Sequence, residues 1–150
     1  MHVKHLIDKV LITLEAGDKT TLFILLAKDG TVHRKGDGAP NKTDLPLMMG
    51  LSHQQHFNAL MMTVNEDIFN YAGVENKPGR VGVESRLTVI FQGKDEIDYS
   101  FRVVYGSQSE GPPRELVEIL INAVKITEGW YQEQLNAPHD DKKWWKFWGK

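Results

Sequence analysis

Two neighbouring runs of alternating apolar residues, separated by a turn at residues 93–96, constrain the fold of this chain more than any other feature. Successive side chains of a β-strand point to opposite faces, so an apolar residue at every second position is typical of a strand with one buried face. The first run carries Val81, Val83, Leu87, Val89 and Phe91, and the second carries Ile97, Tyr99, Phe101, Val103 and Tyr105. The sequence therefore predicts an antiparallel hairpin over residues 81–105.

A second hairpin and three helices complete the predicted order of elements. Residues 20–27 form a continuous apolar run, which predicts a strand buried on both faces, and the Asp29-Gly30 turn predicts a return strand over residues 31–35. Apolar residues spaced three and four apart are typical of helices. The predicted helices cover residues 3–14, residues 52–73 behind a Ser52–Gln55 capping box, and residues 114–135. The sequence therefore predicts an α+β fold with an antiparallel sheet of about four strands and three helices, in the order α-β-β-α-β-β-α.

Composition indicates one globular domain without cysteine chemistry. The chain has 150 residues, of which 41% are hydrophobic and 25% charged, as is usual for a folded domain. It contains no cysteine, which excludes disulfides, thiolate zinc sites and a cysteine nucleophile. Asp8 and Lys9 interrupt the apolar stripe near the N-terminus, so this stripe resembles neither a signal peptide nor a membrane span. We therefore expect a cytoplasmic protein.

Charge is distributed unevenly along the chain. Residues 1–141 hold 14 basic and 20 acidic side chains, a balance of −6, whereas the last nine residues carry +4. A nucleic-acid interface needs a basic surface that neutralises phosphates. The acidic body therefore predicts that nucleic acid is not a partner.

One short segment is similar to a phosphate-binding loop, but its context argues against that interpretation. Residues 36–43 read GDGAPNKT and differ from G-x-x-x-x-G-K-[ST] by Asn41 in place of the second glycine. The true loop follows a buried parallel strand and leads into a helix, whereas residues 31–35 are a polar hairpin strand and Pro46 disfavours a helix here. A surface loop is the better interpretation. No G-x-S-x-G elbow is present either, so the sequence nominates no catalytic residue and favours a non-enzymatic protein.

His53 and His56 are the weak candidates for a metal site. Their spacing at a helix start could place two imidazoles on one side, but a metal site needs at least a third ligand. No H-E-x-x-H or related motif supplies one. The sequence therefore predicts solvated histidines, no metal and no cofactor.

The C-terminal segment has the most unusual composition. We divide the chain into a single α+β domain over residues 1–138 and a basic aromatic tail over residues 139–150. Tryptophan is costly to expose, so the tail should dock on a surface. Its candidate docking residues are Trp144, Trp145, Phe147, Trp148, Lys142, Lys143 and Lys146. The three alternatives for that surface are the protein itself or a second subunit, a foreign protein, and an anionic membrane.

The last predicted helix is apolar nearly all round in its first half, so more than one surface should cover it. Its candidate interface residues are Leu116, Val117, Ile119, Leu120, Ile121 and Val124. We therefore expect a non-enzymatic protein-interaction or assembly domain, a homodimer that uses this helix and the tail as docking surfaces. The alternatives are a small-ligand-binding protein or enzyme with a pocket near loops 36–46 and 106–113, containing His33, His53 or His56, and peripheral membrane association through the tail.

Overall fold

A seven-stranded sheet with two α-helices forms the fold. A computed structural model describes residues 4–38, 45–52, 55–71, 75–76, 85–94, 98–105 and 114–136. The strands are β1 (Ile7–Ala16), β2 (Lys19–Ala27), β3 (Thr31–Gly36), β4 (Leu47–Leu51), β5 (Glu75–Asn76), β6 (Ser85–Gly93) and β7 (Asp98–Tyr105). The helices are α1 (His56–Thr63) and α2 (Arg114–Asn136), and short 3₁₀ turns cover Lys4–Leu6 and Glu66–Tyr71.

The strands lie in the order β4-β3-β2-β1-β6-β7-β5. Six of them pair antiparallel with their neighbours, and the two-residue β5 runs parallel to β7 at one edge. These pairings confirm the predicted α+β class and its antiparallel sheet. The predicted numbers were wrong, because the described residues contain more than four strands and two α-helices instead of three.

The helix predicted over residues 3–14 is wrong, and a β-bulge explains the error. Ile7 pairs with Gly93 and Lys9 pairs with Gln92, so Asp8 is an extra residue on β1. Because of the extra residue, Ile7 and Val10 both lie in the core although they are three positions apart. A spacing of three is also typical of a helix, so the pattern predicted the wrong element. Beyond the bulge, the strand alternates normally.

The helix predicted over residues 52–73 is shorter than expected. It begins at His56. The preceding residue, Gln55, has a left-handed conformation (φ 54°) and its side chain does not cap the helix. The backbone N–H of Ser52 instead donates to the carbonyl oxygen of Gly30 at 2.8 Å. The capping box is therefore wrong. The helix ends at Thr63, and the side chain of Asn65 then accepts a hydrogen bond from the backbone of Asp67 (2.9 Å), which starts a separate 3₁₀ turn.

Both predicted hairpins are confirmed where the structure describes them. The first is β2–β3, and its turn is held by Asp29, which accepts hydrogen bonds from the hydroxyl and the backbone N–H of Thr31 at 2.7 and 2.9 Å. These bonds lower the pKa of the Asp29 carboxyl below its ordinary value. The second is β6–β7, and residues 81–84 and 95–97 of that prediction lie outside the described residues.

The core lies between one face of the sheet and the two helices. The sheet contributes one side chain in every two along each strand, and α2 contributes a stripe spaced three and four apart. The stripe consists of Leu116, Ile119, Ala123, Thr127 and Trp130. Phe69 from the second 3₁₀ turn packs edge-on against Phe91 and Tyr99, with ring centroids 5.1 Å apart in both pairs. We call this side of the sheet the covered face.

The prediction that residues 20–27 are buried on both faces is wrong in one respect. Leu22, Ile24 and Leu26 of β2 are buried on the covered face. Phe23 and Leu25 point to the other side, where no described helix lies, and are only partly buried. The sequence therefore provides apolar side chains for two faces, and the described chain covers one.

Candidate functional site

The uncovered side of the sheet carries apolar side chains on β1, β2, β4 and β6, whereas β3 contributes the polar Thr31, His33 and Lys35 to it. Residues directly paired on neighbouring strands point to the same side, so the register sets them in rows across the sheet. One row runs from β4 to β6 through Met49, His33, Leu25, Leu11 and Ile90. We call this side the open face. Its apolar residues are Leu11, Phe23, Leu25, Ala27, Leu47, Met49, Leu51, Ile90 and Val104, of which Ala27 and Val104 are buried.

Exposure of the open face is greatest at the β4 edge. Leu47, Met49 and Leu51 are 45%, 64% and 73% exposed, whereas the residues on the central strands are partly buried by their neighbours. Three exposed apolar side chains grouped on one strand are typical of an interaction site. The β4 end of the open face is therefore where a partner would remove most apolar area from water.

The outer edge of β4 also offers backbone hydrogen-bonding groups. Ser52 donates its N–H to Gly30 of the β2–β3 turn at 2.8 Å, and in an antiparallel ladder alternate residues bond to the same neighbour. The backbone groups of Met48 and Gly50 therefore bond to β3. The backbone N–H and C=O groups of Leu47, Met49 and Leu51 point outwards. No described strand lies beyond β4 to accept them.

Charged side chains surround the apolar centre of the open face. The register places Lys9, Lys35, Arg86, Arg102, Glu15 and Asp98 on this side of the sheet. Arg86 and Glu15 form an ion pair at 3.7 Å. The open face thus has a small excess of positive charge, although the whole body is acidic.

Behind the open face, a buried arginine joins β3 to α2. Arg34 is fully buried, and its Nε donates to the carbonyl oxygen of Gly36 at 3.1 Å. Its Nη1 donates to the carbonyl oxygen of Val124 and the hydroxyl of Thr127, both at 3.3 Å. The same atom lies 2.9 Å from the carboxylate of Glu128, which is 46% exposed. The Nη2 atom is buried without a hydrogen-bond partner.

Two aromatic residues of α2 extend this connection to β4. The Tyr131 hydroxyl donates to the carbonyl oxygen of Pro46 at 2.7 Å and accepts from the N–H of Gly36 at 3.0 Å, and its ring lies 4.5 Å from the Arg34 guanidinium. Trp130 lies directly over Gly50, where a Cβ would come within 3.3 Å of the indole. These contacts fix β4 and its neighbour β3 from behind, so the exposed edge is held in a defined position.

The glycines that are similar to a phosphate-binding loop use their N–H groups within the fold. Gly36 donates to Tyr131, and Gly38 donates to the carbonyl oxygen of Thr21 at 3.0 Å. Both glycines have positive φ angles, which a tight turn requires. Residues 39–44 of this loop lie outside the described residues.

The structure does not bring the candidate histidines together. His33 lies on the open face next to Met49, whereas α1, which begins with His56, packs on the covered face. His56 is buried with no partner for Nε2, and burial lowers its pKa below the ordinary 6.5. His53 lies outside the described residues, within which no group of three or more His, Asp or Glu side chains could hold a metal ion.

A shallow groove of about 350 Å³ lies beside α1. Its lining residues are Lys4, His5, Ile7, Lys28, Phe57, Asn58, Met61 and Met62. The Lys4 ammonium donates to the carbonyl oxygens of Met61 and Val64 at 2.9 and 2.8 Å, so it caps the end of α1. None of the lining residues belongs to loops 36–46 and 106–113, where the alternative pocket was predicted, and residues 106–113 lie outside the described part of the chain.

The two predicted docking surfaces have different outcomes. On α2, Leu116 and Ile119 are buried in the core, Ile121 is 44% exposed, and the other three candidates are partly buried. The side chains of Leu116 and Ile119 therefore cover the sheet instead of facing a partner. The tail residues from Lys142 to Trp148 all lie outside the described residues, and their docking remains a prediction.

Sequence reasoning missed β4, which carries the most exposed part of the site. Residues 47–51 read LMMGL, a short apolar run that only Gly50 interrupts, and this run was the available signal. The strand is short and has no β-branched residue, so local propensity does not mark it. The role of Arg34 was also missed, because its partners on α2 are about 90 residues away in sequence.

No protein-family model matches the chain, and the comparison with curated proteins gives no match either. Among the described residues, no helix combines the length and the apolar character needed to cross a membrane.

Proposed function

We propose that this chain is a non-enzymatic protein-interaction domain that binds another protein surface through the open face. One observation carries the proposal: the central strands are apolar on both sides, and the described helices cover only the covered face. Removing apolar surface from water contributes about 25 cal/mol per Å², so a partner seated on this face gains a substantial driving force.

The shape of the open face suits a protein partner better than a small ligand. Small-molecule sites are concave and enclose most of the ligand surface. The open face is instead a sheet surface with an apolar centre and charged residues at its border, which is the usual anatomy of a protein interface.

The fixed position of β4 supports the same function. Association costs less free energy when the binding surface does not have to be ordered first. Arg34, Tyr131 and Trp130 attach β3 and β4 to α2, so the exposed leucine and methionine side chains project from a rigid support.

The predicted docking surfaces are revised accordingly. Of the candidates on α2, Ile121 is the one that is well exposed, so the helix contributes little to the proposed interface. The aromatic tail remains a proposed second docking element, for which a protein surface and an anionic membrane stay open as alternatives.

A photo-crosslinker at the centre of the open face tests this function. Replacing Phe23 by p-benzoylphenylalanine in the full chain keeps an aromatic ring on this face, and we expect irradiation of cells that express it to give a defined protein adduct. The same replacement at Met62, which is 83% exposed on α1, is the matched control. An adduct yield at position 23 no higher than at position 62 would contradict the proposal.

A further inference from the structure

We propose that the partner is a second copy of this chain, and that two β4 strands pair antiparallel across a two-fold axis at Met49. This inference rests on the proposed function, because it names the partner that contacts the β4 end of the open face. The two sheets would then join into one, with the open faces of both copies on the same side.

The backbone of β4 is suitable for this pairing. The outward N–H and C=O groups belong to Leu47, Met49 and Leu51, as the bond between Ser52 and Gly30 establishes. Exposed strand edges of this kind pair readily with another strand unless a charge, a proline or a bulge prevents it. Residues 47–51 contain no charged residue and no proline, and Pro46 precedes the strand.

The side chains of β4 are complementary to themselves under a two-fold axis. Pairing centred on Met49 places it opposite its own copy and sets Leu47 opposite Leu51 of the second copy. The three most exposed apolar side chains of the open face thus cover one another. On the covered side, Met48 lies opposite Gly50, over which the Trp130 indole packs. Such an arrangement is an isologous interface.

Charge favours a second copy over the chain's own tail as the occupant. Two β4 strands bring no charged side chains of their own into contact. Docking the tail here would bring four lysines to a strand that has no acidic side chain to pair with them. Charge complementarity therefore does not favour the tail at this edge.

Single cysteines test both the partner and the register, because the natural chain contains none. Directly paired residues in an antiparallel ladder have Cα atoms about 4.5–5.5 Å apart, within the range that a disulfide spans. We expect full-length Met49→Cys to form a disulfide-linked dimer under mild oxidation. Leu47→Cys alone should not, whereas mixing Leu47→Cys with Leu51→Cys should give a crosslinked heterodimer.

Met62→Cys is the control for random collision, because Met62 is exposed on α1. Crosslinking of Met49→Cys no faster than that of Met62→Cys would overturn the proposal, and faster crosslinking of Leu47→Cys alone would overturn the register. If position 23 photo-crosslinks to a different protein while Met49→Cys stays monomeric, self-pairing is refuted and the interaction function stands. If neither experiment gives an adduct, both proposals fail.

A charge at the two-fold axis provides an independent test. Met49→Lys places two like charges directly opposite each other, and we expect the dimer dissociation constant to rise about tenfold or more. Met62→Lys adds the same charge away from β4 and should leave it unchanged. Sedimentation equilibrium of the full chain measures both values. Equal dissociation constants for the two variants, or a wild-type chain that remains monomeric, would rule out the β4 dimer.

Discussion

Truncation of Arg34 should be far more damaging than its replacement by an apolar side chain of similar length. The residue is fully buried, and its guanidinium contacts β3, α2 and the Tyr131 ring. We expect Arg34→Ala to lower the free energy of unfolding by about 2.5–3.5 kcal/mol, and Arg34→Met by less than about 1.5 kcal/mol.

The magnitude follows from what each substitution removes. Alanine loses the buried stem of the side chain, whose methylene groups contribute about 0.8 kcal/mol each. The resulting cavity and the lost contact with Tyr131 add about 1–2 kcal/mol. The free energy lost with the guanidinium hydrogen bonds is largely offset by the desolvation cost of the buried cation, which the variant no longer bears. In addition, the Nη2 atom has no hydrogen-bond partner among the described residues, so removing it breaks no bond there. Methionine restores most of the stem.

Urea unfolding monitored by tryptophan fluorescence measures these differences, with the slope of the transition checked for a change in two-state behaviour. Glu128→Gln is the companion variant. The Glu128 carboxylate is 46% exposed, so water can replace much of its interaction, and we expect a loss of about 1 kcal/mol or less. If Arg34→Met is as unstable as Arg34→Ala, the polar contacts dominate and this reasoning is wrong.

Two further perturbations test the remaining fold. Burial lowers the pKa of His56 below its ordinary value of 6.5. At a pH below about 6.5, the unfolded chain therefore binds more protons than the folded chain. Stability should therefore fall as the pH drops below about 6.5, and His56→Leu should reduce this dependence; equal pH profiles for the wild type and this variant would refute the reasoning. Gly36→Ala should cost more than about 3 kcal/mol, because φ is +78° and the new Cβ would clash with the carbonyl oxygen of Thr21. Gly17→Ala, at φ +63° with open space around it, should cost only about 1–2 kcal/mol, and a thermal melt that ranks the two equally would contradict the clash.

Local patterns in the sequence were sufficient for the hairpins but not for β1. Alternation and turn residues identify β2–β3 and β6–β7 because each strand pairs with its neighbour in sequence. The bulge at Asp8 changes the period of β1 from two to three at one point, and a period of three favours a helix. Pairing with β6, about 80 residues later in the chain, shows that this segment is a strand, and no local pattern reveals that pairing.

The candidate site was only partly predictable for a related reason. The run over residues 20–27 correctly indicates apolar side chains on two faces, but local sequence does not say which face the helices of the same chain will cover. Arg34 lies in a segment that reads as a polar strand, and its burial depends on partners that α2 supplies across the fold. Both features are decided by tertiary packing instead of local propensity.

The distribution of side chains along the open face locates the partner at one end of the sheet. The row that begins with exposed Met49 passes through His33 on β3, is apolar at Leu25, Leu11 and Ile90, and ends at Ser100 on β7. A partner resting on the centre of the sheet would leave the most exposed residues uncovered at β4, whereas one seated at the β4 edge buries them first. The β7 end carries Asp98, Ser100 and Arg102 together with buried Val104, and its outer edge is paired with β5 at Arg102 and Val103. The most exposed apolar residues of the open face and a strand edge without a described neighbour therefore coincide at β4. Pairing with a second β4 strand would cover the side chains and bond the backbone groups of this edge in one contact.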